Sequence, residues 1–187
     1  MSKEAILEAA AQIIREKGYH AASMSDIAAA VDLSKATLYS HIDNKQSILV
    51  ALLDRALDTL IEDIQPVVTA DIPADEKFRR AMHCFLSYMS ENLDLSAVLL
   101  LEHRSLDPEM RQVHIPRRDD YEGYWRKIIQ EGIDAGIFHV EDPSLSAKIA
   151  LGVASWTVMW LNPEGRLSAE EIAEQSADIL LNGFYQR

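Results

Sequence analysis

The chain has one cysteine, Cys84, so no disulfide can close within it, and this usage fits a reducing compartment. Glycine and proline are scarce, seven and six in 187 residues, and most fall between apolar-periodic segments. No apolar run approaches the roughly 20 residues that a membrane-spanning helix needs. Met1-Ser2-Lys3-Glu4 opens straight into an amphipathic pattern without the apolar core of a signal peptide. No alternating segment of strand length, no internal repeat and no low-complexity tract occurs. A cytoplasmic, helical protein with no membrane partner is expected.

Catalytic signatures are missing as well. There is no HExxH, no paired CxxC, no glycine-rich phosphate loop and no nucleophile elbow. His83-Cys84, Glu102-His103 and His114 carry ligating or acid–base atoms. Glu102 and His103, however, are neighbours on a helix and point in different directions. The expectation is a non-enzyme, with no cofactor and no metal.

Charge is plentiful but one-sided, at a formal net of −12. It is unevenly spread: the first fifty residues carry only −1 and the remainder −11. Such a balance argues against broad nonspecific binding to nucleic acid or anionic membrane. Local DNA contact survives it, because counterion release depends on the phosphates touched and not on whole-chain charge.

Apolar spacings of three and four predict an all-α fold of about nine helices. The segments are 3–17, 25–31, 34–41, 45–64, 74–92, 95–105, 117–135, 144–161 and 168–185, with a break across Pro66 and Pro73. They form a small front group and a larger back group, joined by the long fourth helix. Residues 1–47 are expected to form one domain and 48–187 another.

The informative stretch is 22–42. Two short helices joined by a tight turn are predicted there, with Ser23 or Ser25 capping the first and Ser34 the second. Leu33 and Leu38 have the spacing of a hydrophobic staple, and Leu38 and Ile42 face the core. Lys35, Ala36, Thr37, Tyr39 and His41 are left on the outer faces of the second helix. A helix-turn-helix places such residues against base edges in the major groove. Lys35 and Thr37 suit base-edge or phosphate contacts, Ala36 close approach or a thymine methyl, and Tyr39 and His41 backbone oxygens. Lys45, opening the fourth helix, offers a further phosphate contact.

Ser23-Met24-Ser25-Asp26-Ile27-Ala28, followed by Ser34-Lys35-Ala36-Thr37-Leu38-Tyr39-Ser40-His41-Ile42-Asp43-Asn44-Lys45, resembles the TetR (tetracycline repressor) family over about residues 3–52. Four positions, at three places, depart from that pattern. Asp32-Leu33 stands where a Gly-Val turn is usual, Ala36 where glycine is frequent, and Ile42 where phenylalanine is usual. The resemblance implies a helix-turn-helix domain that binds double-stranded operator DNA as a homodimer, followed by a helical domain that dimerises through its last two helices and binds a small effector. Small residues such as Gly152, Ala154, Ser155, Ser176 and Ala177 would let those helices approach closely.

Further back, Glu102-His103-Arg104-Ser105, Arg117-Arg118-Asp119-Asp120-Tyr121 and Ser155-Trp156-Thr157-Val158-Met159-Trp160 resemble the branch that senses CoA thioesters from steroid or fatty-acid breakdown. Met159 stands where some of those relatives have arginine. Candidate effector residues are Phe85, Met89, His103, Arg104, Tyr121, Trp125, Trp156, Met159 and Trp160, apolar walls with a few polar groups. Arg104, Arg117, Arg118 or Arg126 would suit CoA phosphates. The expected function is a repressor released from a near-palindromic operator by an apolar effector such as an acyl-CoA. A helical interaction module without DNA binding is the alternative.

Overall fold

A computed structural model describes residues 2–184, and every described element is helical. The helices are α1 (Lys3–Lys17), α2 (Met24–Ala30), α3 (Lys35–Tyr39), α4 (Lys45–Thr69), α5 (Ala74–Glu91), α6 (Leu93–Leu101), α7 (Pro108–Asp134), α8 (Pro143–Trp156) and α9 (Ala169–Phe184). Two 3₁₀ turns, His103–Ser105 and Thr157–Met159, follow α6 and α8. The expected last residue of the final helix, 185, lies outside the described residues. Among those residues no single helix is long and apolar enough to cross a membrane.

Two compact units form. Among the described residues, the front unit takes 2–57 and also Asn92–Pro116; the back unit takes Asp58–Glu91 and 117–184. The division falls inside α4 and α7. The expected boundary near residue 47 lies at the third residue of α4.

In the front unit, Ser2 caps α1 by accepting the Ala5 amide, and Gly18, at φ 78°, ends the helix with its N–H on the Ile14 carbonyl. That backbone region disfavours a side chain. The buried stripe Ile6, Leu7, Ala10, Ala11 and Ile14 faces the helix core. Helix α6, whose Leu95, Ala97, Val98 and Leu99 are buried, packs on α1, which brings 92–116 into this unit. Each fully buried Ile or Leu contributes about 1.5–3 kcal/mol.

The back unit is centred on α5 against α9. Phe78 meets Trp125 and Phe184 edge-on at 5.8 and 5.5 Å, and Phe138 meets Phe184 at 5.6 Å. Gly132 makes room for Phe138, whose ring occupies the space where a Cβ would stand. Buried Lys77 donates to the Val68 carbonyl (2.8 Å) and to Glu131 (2.7 Å), tying α4, α5 and α7 together.

Two prolines behave differently from expectation. Helix α4 runs through Pro66 to Thr69, and α7 starts at Pro108 and runs through Pro116. Proline removes one i→i−4 bond, and the residues whose carbonyls lose it, Glu62 and Gln112, are exposed, where water can replace the bond. Pro108 occupies the first helical position, where its missing N–H costs nothing.

Candidate nucleic-acid interface

Helix α2 begins with a reciprocal cap: Ser23 Oγ accepts the Asp26 amide (3.1 Å), while Asp26 accepts the Ser23 amide (2.9 Å). Ser23, not Ser25, is therefore the cap, and Ser25 is exposed. The Asp26 carboxyl is held well below the usual carboxylate range, first by the Lys17 ammonium (2.8 Å) and then by the Ser23 hydroxyl and amide.

The turn to α3 follows from backbone bonding. Leu33 N–H donates to Ala28 O (2.9 Å) and Asp32 N–H to Ala29 O (3.3 Å), the paired bonds of a Schellman motif. Its pivot is Asp32 at φ 53°, the left-handed region that favours glycine. An aspartate thus performs the turn where the family pattern usually has Gly. Two residues after Asp32, Ser34 accepts the Thr37 amide (3.0 Å) and opens α3.

Helix α3 sorts its residues by face. Leu38 is fully buried and Ile42, just beyond the helix, is 5% exposed. Ser34, Lys35, Ala36, Thr37, Tyr39 and His41 are turned outward, with Tyr39 at 45%. The Thr37 hydroxyl lies 2.8 Å from Ser34 Oγ, and Ser40 Oγ donates to Thr37 O. The outer face thus presents an ammonium, hydroxyls, a phenol and an imidazole with no carboxylate among residues 34–42.

Lys45 differs from expectation. Its ammonium donates to the carbonyls of Tyr19 (2.6 Å) and Ala22 (2.8 Å), and it sits 4.3 Å from the Tyr19 ring centroid. Those donors hold the turn before α2, a role invisible to local sequence spacing.

Comparison with known proteins bears on this arrangement. Residues 6–52 match the family model described as bacterial regulatory proteins, tetR family. Residues 71–184, more than half of the chain, match the tetracyclin repressor-like C-terminal domain.

The chain belongs to the tetR family.

Its similarity to solved members extends over nearly the whole length. The TetR-family regulator PfmR from Thermus thermophilus is 35% identical, with TM-score 0.88 over 97% of this chain and 99% of its own. AibR, solved in complex with isovaleryl coenzyme A and operator DNA, is 31% identical, with TM-score 0.88 over 95% and 97%. The fatty acid metabolism regulator protein of Bacillus subtilis is 26% identical over 184 residues, 97% of this chain and 95% of the relative. Membership makes this tetR-family chain a transcriptional regulator rather than an enzyme.

The candidate effector residues fall into three groups. Phe85, Met89, Tyr121 and Trp125 are buried in the back unit, with Phe85 stacked on Tyr121 at 6.3 Å and edge-on to Trp125 at 6.4 Å. Burial pushes the Tyr121 phenol well above its ordinary value. Trp156, Met159 and Trp160 are instead exposed, Trp156 at 65%. His103, half-buried, and Arg104, exposed, lie on the 3₁₀ turn of the front unit. The spacing of apolar residues could not separate these groups. Gln46 and Arg111, which bind the segment around that turn, carried no motif signal and were missed.

Proposed function

We propose that this tetR-family regulator is a cytoplasmic repressor that binds a near-palindromic operator as a homodimer and is released by an apolar, acyl-coenzyme A type effector. The observation that carries the reading is the outer face of α3, with Lys35, Ala36, Thr37, Tyr39 and His41 turned to solvent while Leu38 and Ile42 anchor it. The DNA-binding domain is assigned to residues 1–47 and the effector and dimerisation domain to 48–187. Helix N-terminal residues of α3 enter the major groove, with Ser23, Ser25 and Ser34 flanking it near phosphates.

Dimerisation is supported by an exposed apolar stripe. Leu145, Ile149, Val153 and Trp156 recur every three or four residues along α8, and Ile179 on α9 is 73% exposed. Isolated apolar side chains on a surface are ordinary, but a contiguous stripe marks an interface. We assign Trp156, Met159 and Trp160 to that covered face. A dimer sets two recognition helices about 34–36 Å apart, one DNA turn.

Effector entry is supported by the relatives, one solved with isovaleryl coenzyme A and another named for fatty acid metabolism. In this chain the acyl group would part the rings of Phe85, Tyr121 and Trp125 near Met89 within the back unit; the exposed Arg104, beside His103 in the front unit, is a separate candidate for an anionic group. A ligand that binds only where those rings have separated shifts the population toward that conformation.

The test is operator binding by fluorescence anisotropy, using DNA upstream of the chain's own gene over a salt series. Affinity should fall steeply with salt, and isovaleryl-coenzyme A or a longer acyl-CoA should weaken it. Operator DNA must then weaken acyl-CoA binding by the same factor. Salt-insensitive binding, or acyl-CoA affinity unchanged by DNA, refutes the scheme.

A further inference from the structure

The segment after α6 is held by polar bonds to the two pieces of chain that flank the helix-turn-helix, all within the front unit. Glu102 accepts the Tyr19 amide (3.1 Å) and the Ser105 hydroxyl (2.9 Å). Gln46, in the first turn of α4, donates to the Ser105 carbonyl (2.9 Å) and accepts the Asp107 amide (3.3 Å). Arg111 donates to the carbonyls of Arg104 (2.6 Å) and Leu106 (3.0 Å), closing the segment from the α7 side. The neighbouring Lys45 grips the 19–22 turn by its carbonyls. Two consecutive residues of α4 therefore hold two different segments, and Glu102 joins those segments directly.

We propose that residues 102–107 form a latch on the helix-turn-helix, in which Glu102 and Gln46 transmit movement of the turn carrying His103 and Arg104 to the 18–22 turn and the start of α4. The proposal deepens the repressor reading and rests on it for its regulatory meaning. Leu106 is the one deeply buried apolar side chain of the segment, so the latch is held mainly by hydrogen bonds. Such bonds are either made or broken, whereas a packed core resists graded deformation. The 18–22 turn runs straight into the Ser23 cap of α2, so its position sets where α2 and α3 begin. Arg104 is exposed on the latch itself, where an anionic effector can engage it.

Hydrogen–deuterium exchange on the full chain, without DNA or effector, tests the latch. In Glu102→Ala and Gln46→Ala, exchange at the Tyr19 amide and through α2 should rise about tenfold, with α5 and α9 keeping wild-type protection. Lys45→Met, a cut on the opposite side, should speed exchange across 103–107, because coupling between two segments is mutual. Changes confined to the segment that carries the substitution overturn the latch. If Glu102→Ala unfolds the front unit, Ser105→Ala removes only one hydroxyl donor and should still speed exchange at Tyr19; wild-type exchange there would overturn it. The upstream DNA fragment separates the two readings. Reciprocal exchange in a chain that binds no DNA keeps the latch and sinks the repressor, whereas DNA binding with one-sided exchange sinks the latch alone.

Discussion

Replacing Lys45 by methionine keeps most of the stem but removes an ammonium that donates to three carbonyls, two of them closely, and lies over the Tyr19 ring. Hydrogen bonds to charged groups contribute about 1.5–3 kcal/mol each, and a cation over an aromatic ring about 0.5–1 kcal/mol at exposed sites. Lys45 is half-buried, so water recovers part of this, and a net loss of about 2 kcal/mol is expected. In a chain of this size that lowers the melting temperature by about 4–8 °C. Lys35→Met is the contrasting perturbation, because Lys35 is turned to solvent on the outer face of α3. Its melting temperature should stay within about 1 °C of wild type, since surface substitutions rarely exceed about 0.5 kcal/mol. The salt slope of operator binding should become shallower by about 0.9 in Lys35→Met, one phosphate contact, and stay unchanged in Lys45→Met. Circular dichroism melts and an anisotropy salt series on the same samples read both quantities. If Lys45→Met flattens the salt slope and leaves the melting temperature alone, the assignment of its ammonium to the 19–22 turn is wrong.

Asp32→Gly should stabilise the chain by about 0.5–1 kcal/mol, because the left-handed pivot of the Schellman turn penalises a Cβ; a lower urea midpoint would contradict this. Gly132→Ala should cost about 2–4 kcal/mol, since the new Cβ meets the Phe138 ring, and Phe138→Leu in the same chain should restore part of the loss. A wild-type midpoint for Gly132→Ala would mean that the ring has room to move. Asp26→Asn probes pH. The folded carboxyl titrates below its unfolded value, so its stabilisation is complete above about pH 4 and is lost as pH falls further. The stability gap between wild type and Asp26→Asn should therefore shrink only below about pH 4, and a gap constant from about pH 7 to about pH 3 would rule out the carboxylate as its source.

The front unit was legible where its determinants are local. Gly18 ending α1, Ser34 opening α3, and Leu38 with Ile42 turned inward all follow from caps and from spacings of three and four. The left-handed Asp32 was not legible, because the sequence shows only that glycine is absent, and the backbone shows that the turn survives without it. Residues 108–116 offer no apolar stripe, with Met110, Val113 and Ile115 all exposed, so periodicity missed the first two turns of α7. Trp125 and Trp156 look alike in sequence, yet one is fully buried and the other is largely exposed. Composition identifies apolar side chains, but only tertiary packing decides which are covered within the subunit. For the same reason Lys45 looked like a phosphate ligand. Its partners are contributed by residues more than twenty positions earlier.

The net charge of −12 then poses a problem for a DNA-binding reading, and the local distribution answers it. Several acidic residues of the front unit are met close by: Asp26 by Lys17, Asp94 by Arg15, and Glu4 by Arg55. Residues 34–42 carry no carboxylate at all, so a phosphate approaching α3 meets donors first. At physiological ionic strength charges beyond about 8 Å are largely screened, and most of the excess acid belongs to residues after the first fifty. Long-range steering of DNA is thereby given up, while short-range contacts keep their strength. Lowering the salt to about 0.01 M extends the screening length to about 30 Å and lets more of the chain's acidic groups push back. The gain in affinity on dilution should consequently level off for this chain, where counterion release alone would keep it rising.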